Sequence, residues 1–491
     1  MNEVLSATWA AMYIPGVLTQ LMSPIRFSTK NSNQYGAFVS FMLLLCSIPV
    51  GFAAFGPLLG AAIAATSIYL LLNAWVLALW RFHALRTRAQ VVRTAIMMNF
   101  LLALFVIAES VGFVTQLNVA MISLTLSCMA VAKVGYLIRK GQMRTHAKHE
   151  GKLPTVSLAV PARNETHALT QHLKSTLKSD YPKLEFVVAD DCSQDDTAQI
   201  IRSFAHDGVR FVQGITPTDS WIGKNRAYDL LYEESSGEYI VFTGVDTRYE
   251  PETVSRLVGY MKHHKLDMVS VMPQHEKLTT WSMLIQPVRY FIMLLTASDV
   301  HPPVLSTTWV IKRSKLKKYG GFAAFENSIV PEQHFAKRAN AEGKYRFIVA
   351  PPELGLTTFK KPSSQQETAI RYLYPRLRKT LSNHALFTLV ASLMFAYPIG
   401  YVVYSVLTEW TLVSTLYAVA IITVFIAYSR IIKASYGGTS VVLGLPYFLG
   451  GFISMYVLSL RSMIGYELDT VIWKGRSVCY PVMMSSLNKD N

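Results

Sequence analysis

Val156-Ser157-Leu158-Ala159-Val160-Pro161-Ala162-Arg163-Asn164-Glu165 is followed, after one helix-length of sequence, by Phe186-Val187-Val188-Ala189-Asp190-Asp191-Cys192-Ser193. Each stretch is a short apolar run that ends abruptly in polar and charged residues. Between and after them, 168–178 and 197–204 read as helices, and 239–243 reads as a third strand. Strand, helix, strand in that order predicts a parallel sheet covered by helices on both faces. Such sheets place ligands just beyond the carboxyl ends of their strands, where the helices begin. Both charged endings fall there.

Outward from this stretch the chain changes character. Of its 491 residues 51% are apolar and only 16% are charged, against roughly a quarter charged in soluble chains. This excludes a disordered chain, a collagen-like chain and a disulfide scaffold. Four cysteines offer no framework, and Cys46 and Cys128 fall inside apolar runs, so free thiols on a reducing side are expected. About 20 apolar residues cross a bilayer core, and four stretches qualify near 36–55, 58–80, 94–114 and 117–138. Two connections are basic, at Arg81, Arg86, Arg88 and Arg93 and at Arg139, Lys140, Arg144 and Lys148, whereas those between them carry no Lys or Arg. By the positive-inside rule the N-terminal segment 1–35 and everything after Arg139 are expected in the cytoplasm. No cleavable signal peptide is expected in 1–35, because no basic start precedes a compact apolar stretch there. A net charge of +16 then reflects cationic cytoplasmic loops rather than a nucleic-acid partner.

The soluble region, 139–383, is followed by a membrane part, 384–462, and a tail, 463–491. Two clear apolar stretches lie at 385–407 and 411–429. A third, 441–460, is interrupted by Gly444, Pro446, Gly450 and Gly451. It is expected to be a re-entrant or a third membrane segment; the re-entrant or interfacial reading, which leaves the tail cytoplasmic, is preferred, since broken backbone at membrane depth needs cover.

Taken in order, Pro161-Ala162-Arg163-Asn164-Glu165, Asp190-Asp191-x-Ser193, Trp221-Ile222-Gly223-Lys224, the strand running into Gly244-Val245-Asp246, Pro273 with the aromatic stretch from Trp281, and Tyr319-Gly320-Gly321-Phe322 resemble the family 2 glycosyltransferases. The resemblance runs through about 155–350. In the tail, Trp473-Lys474-Gly475-Arg476 with Tyr480 is similar to the C-terminal signature of membrane-bound members that glycosylate carotenoid acids, hopanoids or ceramides.

This resemblance implies a multi-pass α-helical membrane protein carrying a cytoplasmic α/β domain of the GT-A fold, mostly parallel and Rossmann-like. It implies an inverting transfer of a sugar from a nucleoside diphosphate sugar, expected to be UDP-linked, to a membrane lipid. Pro161, Ala162, Arg163, Glu165, Asp190, Asp191, Lys224 and Asp246 fall on the donor side, with Asp191 at the position that reads the base. Asp246 matches the direct ligand of a divalent metal, Mn or Mg, which would neutralise the leaving diphosphate. Lys224, after a glycine that permits close backbone approach, adds positive charge there. Glu332 aligns with the general base, and Trp473, Lys474 and Arg476 fall on the acceptor or diphosphate side.

Two departures from the family pattern stand out. Gly244 replaces the first Asp of Asp-x-Asp, and Pro331-Glu332 replaces the Glu-Asp pair. Gln365 and Gln366 precede Arg371-Tyr372 at the wrong spacing for Gln-x-x-Arg-Trp, which counts against a processive polymerase. Two other readings stay open: a polysaccharide synthase that extrudes its product, and a silent relative that only binds a nucleotide sugar. Arg371, Arg376, Arg378 and Lys379, alternating with Tyr372, Leu373, Tyr374 and Leu377, are expected on an amphipathic segment at the membrane surface. His334 and Asp299 are the next candidates for the base.

Overall fold

The computed structural model describes residues 113–143, 153–217, 221–276, 282–437 and 440–479. These belong to two compact units, one holding 113–126 and 376–419 and the other 127–375 and 420–479. Of the first three predicted spans, only Phe113 and Val114, at the end of the third, lie among the described residues, and both already belong to helix α1, Phe113–Gly141.

The larger unit is built on a seven-stranded sheet. Its strands are β1 (Val156–Ala162), β2 (Leu184–Asp190), β3 (Val209–Gln213), β4 (Tyr239–Thr243), β6 (Met268–Met272), β8 (Thr308–Lys312) and β9 (Tyr345–Val349), in the order β3-β2-β1-β4-β8-β6-β9. All neighbours pair in parallel except around β8, which runs antiparallel to both β4 and β6. A mostly parallel sheet is covered on both faces, so its strands read as apolar runs rather than alternating ones. Every residue of β4 and β6 is buried accordingly. Helices α2 (Leu169–Thr176), α3 (Thr197–Ser203), α4 (Gly223–Glu234) and α5 (Thr253–His263) form the crossovers, with α4 packed on β1 and β2. A second, three-stranded sheet joins β5 (Thr247–Tyr249), β10 (Leu356–Thr358) and β7 (Gln274–His275) beside the carboxyl end of β4.

Three further helices of this unit matter for the site: α6 (Ser282–Leu295), α8 (Pro331–Ala341) and α9 (Pro362–Arg376), with the short α7 (Arg313–Lys318) between the first two. The smaller unit contains α10 (Leu381–Ala391), a π-helical turn (Ser392–Ala396) and α11 (Tyr397–Leu407). There Ala120, Val413 and Tyr417 form a small core, and Tyr401 Oη donates to Gln116 Oε1 at 3.0 Å. Helix α12 (Leu412–Tyr436) follows, then α13 (Ser440–Glu467) and a hairpin of β11 (Ile472–Trp473) and β12 (Arg476–Ser477).

Among the described residues four helices are long and apolar enough to cross a membrane, at Gln116–Gly141, Leu381–Leu407, Leu412–Tyr436 and Tyr447–Glu467. In the last, the backbone break expected at the glycines and proline is not found. Gly444, Pro446, Gly450 and Gly451 do not break the backbone, and α13 is one continuous helix of 28 residues. The paired glycines serve contact instead. A Cβ on Gly450 would come within 2.8 Å of Leu284, and one on Gly451 within 2.8 Å of Val288, so they let α13 lie directly on α6. Phe291 and Phe452 meet edge to face in the same interface.

Candidate active site

The strand ends converge as the fold class requires. A cleft of about 420 Å³ opens at the carboxyl ends of β1, β2 and β4. Pro161, Ala162, Arg163 and Glu165 border it from the end of β1, Asp191 from the end of β2, Lys224 from α4 and Asp246 from the turn after β4. The structure therefore brings seven of the eight predicted donor-side residues to one cavity.

Asp190 is the exception. It is buried and does not border the cleft; its carboxylate accepts the backbone N–H of Ser193 at 3.3 Å, holding the turn that presents Asp191. Asn164 and Cys192 adopt left-handed backbone conformations, φ 50° each, on either side of this turn. Such conformations are uncommon for residues with a side chain, and they bend both loops toward the cleft. Arg163 ties the loops together, its Nη1 donating to the carbonyls of Asp191 at 2.5 Å and Cys192 at 2.7 Å.

The tail hairpin closes over these loops. Lys474 Nζ donates to the Arg163 carbonyl at 2.6 Å and pairs with the Glu165 carboxylate, while the Lys474 carbonyl accepts from Arg163 Nε at 3.1 Å. Arg476 Nη1 lies 2.6 Å from Asp191 Oδ1. Gly223 makes room for that pair: a Cβ there would sit 2.5 Å from Arg476 Nη1 and 3.3 Å from Asp191 Oδ2. Arg476, expected on the acceptor or diphosphate side, is thus set on the Asp191 carboxylate by the hairpin's turn at Lys474 and Gly475, both with positive φ. Burial pushes the Asp191 and Glu165 carboxyls up, and the neighbouring Arg476 and Lys474 respectively pull them back.

Asp246 faces the cleft on a turn pinned by Thr358 Oγ1, which donates to the Asp246 carbonyl at 3.0 Å. Its Oδ2 lies 3.6 Å from Lys360 Nζ. A Cβ on Gly244 would fall 2.8 Å from Asp246 Oδ1, so the Asp246 side chain occupies the space the missing residue would need. Among the described residues no three His, Cys, Asp or Glu side chains gather into a metal cage. One exposed-edge carboxylate still fits a hard divalent ion that takes its other ligands from donor phosphates and water.

Glu332 sits in the first turn of α8, behind Pro331 at the first helical position. It is 1% exposed, with Oε1 3.9 Å from Lys224 Nζ and Oε2 without a hydrogen-bond partner among the described residues. Lys224 also lies over the Tyr228 ring at 4.9 Å, and burial drives its pKa down to about 8, although Glu332 opposes the shift. His334 is turned away, stacked on Phe325 at 4.2 Å with Ser328 Oγ 3.2 Å from Nε2. Asp299 uses its carbonyl to accept Asn340 Nδ2 at 2.8 Å. None of Glu332, His334 and Asp299 borders the cleft, but Glu332 lines the small cavity next to it, which His334 and Asp299 do not.

Arg371 is the residue the sequence reading placed wrongly. It was expected among the basic residues of a surface segment, yet it borders the cleft beside Thr368 and lies over the Trp473 ring at 4.6 Å. The reason is the docking of α9, which buries Gln365, Ala369 and Leu373 and so turns Thr368 and Arg371 inward.

Residues 157–320 match the family described as Glycosyl transferase family 2, so the chain carries a domain of that family. Glu332, Arg371 and the tail hairpin lie beyond the matched residues. Poly(ribitol-phosphate) beta-N-acetylglucosaminyltransferase TarS of Staphylococcus aureus is 30% identical over 117 residues, 23% of this chain and 20% of its own length. The 4,4'-diaponeurosporenoate glycosyltransferase of Staphylococcus haemolyticus is 30% identical over 146 residues, 29% of this chain and 38% of its own. The chain therefore spans only about a fifth to two fifths of these curated relatives. Among solved structures, a mannosyltransferase from Pyrobaculum calidifontis in complex with GDP-Man and Mn2+ aligns at TM-score 0.45 and 19% identity, covering 71% of this chain and 98% of its own.

Proposed function

We propose that this protein is an inverting glycosyltransferase that moves one sugar from a nucleoside diphosphate sugar, UDP-linked, to a membrane lipid at the cytoplasmic face. The observation that carries the reading is Glu332. It is a buried carboxylate with one oxygen unpaired, lining a small cavity that adjoins the cleft of Asp191 and Asp246, and it lies 3.9 Å from Lys224, which borders both. In a single displacement, the bond from the acceptor oxygen to the anomeric carbon forms as the bond to the diphosphate breaks. The nucleoside diphosphate leaves with the electron pair, and the acceptor proton passes to Glu332 Oε2.

Asp191 takes the base edge through its free lone pairs, since a carboxylate offers about four acceptor sites and Arg476 uses one. Arg163 and Lys474 hold the loops that shape the nucleotide end. A divalent ion bound to Asp246 would neutralise charge on the diphosphate. Lys224 and Lys360 add fixed positive charge to the cleft, where little reorganisation is needed during the reaction. A lipid acceptor is supported by the apolar helices and by a relative named for diaponeurosporenoate. The cytoplasmic side rests on the distribution of Lys and Arg.

The test is transfer of labelled sugar from UDP-sugars by the full chain in membranes. Organic-extractable product is expected, and Glu332→Gln should lower turnover by about two orders of magnitude or more with donor binding nearly intact. Precipitable polymer would mark a polysaccharide synthase, and donor binding without product a silent relative. Turnover of the variant within about tenfold of the parent would remove Glu332 from the mechanism.

A further inference from the structure

Helix α9 carries Pro375 inside its last turn. A proline there has no N–H to give to the carbonyl four residues back, and its ring crowds that carbonyl, so the Arg371 carbonyl loses its helical partner. Backbone carbonyls are normally matched, and here the match comes from another helix. Tyr466 Oη, on α13, donates to the Arg371 carbonyl at 2.7 Å. One turn earlier on the same face of α13, Ser462 Oγ accepts the Tyr374 N–H at 2.9 Å and donates to the Ile370 carbonyl. Those two groups pair with each other in an undisturbed helix, so the Ser462 hydroxyl bridges the neighbouring rung. Tyr374 Oη in turn donates to Glu467 Oε1. Ser462, Tyr466 and Tyr374 are all buried.

The break falls where the site is most sensitive to it. Lys224, Ser306, Thr368 and Arg371 border both the donor cleft and the small cavity lined by Glu332 and by Arg289 of α6. Thr368 and Arg371 both come from α9, so this helix walls the boundary between cleft and cavity. The segment 462–473 holds Arg371 at both ends. Tyr466 bonds its carbonyl, and the Trp473 ring lies under its guanidinium at 4.6 Å. A charged group displaced by about 1 Å in such a site can cost about a hundredfold in rate.

We infer that Tyr466 is a positioning residue for the transfer, supported by Ser462: from α13 it holds the backbone that Pro375 leaves unpaired, and so fixes where Arg371 stands at the cleft. The inference rests on the reaction proposed above, in which this cleft binds the donor. It gives α13, which contains a stretch long and apolar enough to cross a membrane, a part in setting the donor-site geometry. The hydroxyl is the working part, because the Tyr466 ring already packs beside that of Tyr374, 6.3 Å between centroids.

The experiment measures UDP binding by calorimetry, with the purified full chain in nanodiscs. Tyr466→Phe keeps the ring and should weaken UDP about fivefold, and Arg371→Leu about tenfold. In the Arg371→Leu background, Tyr466→Phe should add less than about a twofold loss, because it acts through the side chain already removed. Adding Pro375→Ala to Tyr466→Phe returns an N–H to the Arg371 carbonyl and should restore UDP affinity to within about twofold of the parent. Equal losses from Tyr466→Phe in both backgrounds would overturn the inference and leave Tyr466 a packing residue. So would UDP binding indifferent to Tyr466→Phe, or no recovery with Pro375→Ala. Sugar transfer is scored separately: the expected pattern in UDP binding without transfer leaves the positioning role standing and removes the transfer reading.

Discussion

Replacing Arg476 by Met should act on the nucleotide end of the cleft, although Arg476 lies 285 positions from Asp191 in sequence. Their side chains are 15% and 5% exposed, so little solvent screens the pair. Removing one partner of a buried pair leaves the other charged and uncompensated, which costs about 3–5 kcal/mol. The partial exposure of Arg476 sets the expectation at the lower end, about 3 kcal/mol of stability. Asp191 can relieve the strain only by taking a proton. Burial already pushes its pKa up, and Arg476 supplies the larger of the opposing pulls, ahead of Arg163, so its loss raises the pKa further. A higher pKa means a protonated carboxyl over a wider acid range. UDP binding that needs ionised Asp191 should therefore fail at a higher pH in Arg476→Met than in the parent. At neutral pH it should weaken about tenfold, or about 1.4 kcal/mol. Asp191→Asn combined with Arg476→Met removes the orphaned charge and should regain stability, with a coupling of about 0.5–3 kcal/mol. The assay is UDP calorimetry across pH, with denaturation midpoints for all four proteins. Additive losses within about 0.5 kcal/mol, with an unmoved acid limb, would show that the tail does not rest on the donor loop.

Three further outcomes are expected. Asp246→Asn and chelation should abolish the same, metal-dependent share of donor binding while Asp191→Ala weakens nucleotide binding even without metal; indifference to both treatments would leave Lys360 and Lys224 as the diphosphate's cations. Burial depresses Lys224 to about 8, opposed by Glu332 and reinforced by Arg371 and Lys360, so its charge and its ion pair are lost as pH rises through that value. Turnover should fall over the same range, and Lys224→Arg should flatten that alkaline limb; an identical limb in both proteins excludes Lys224. Finally, a single cysteine at position 476 should resist impermeant thiol reagents in intact cells, and strong labelling there would put the tail on the outer side.

The legible parts of this protein were those written in contiguous residues. Strands β1, β2 and β4 announced themselves as apolar runs with charged endings, and the parallel fold then placed those endings in one cleft. What stayed hidden was whatever depends on which segments meet. Strand β8 looks like any apolar run, and nothing local says that it inserts antiparallel between β4 and β6. Gly450 and Gly451 read as helix breakers because glycine weakens a helix, yet their missing side chains serve a neighbour, α6, that the local pattern does not name. Arg371 shows the same limit at the site itself: its local context is a basic amphipathic segment, and only the buried face of α9 decides that it points inward. Arg289 did carry a local signal, since it is the one charged residue in the apolar run 282–295, and a charge in such a run is a functional candidate by default. The tail combines both cases. Its motif was visible at 473–476 and was expected on the acceptor or diphosphate side, but the pairing of Arg476 with Asp191 has no local signal. A carboxylate at a strand end needs a cation to remain ionised when buried, and here the cation comes from the far end of the chain. On the proposed reading, in which Asp191 takes the base, the docked C-terminal hairpin belongs to the donor site, because its Arg476 is the cation beside that carboxylate.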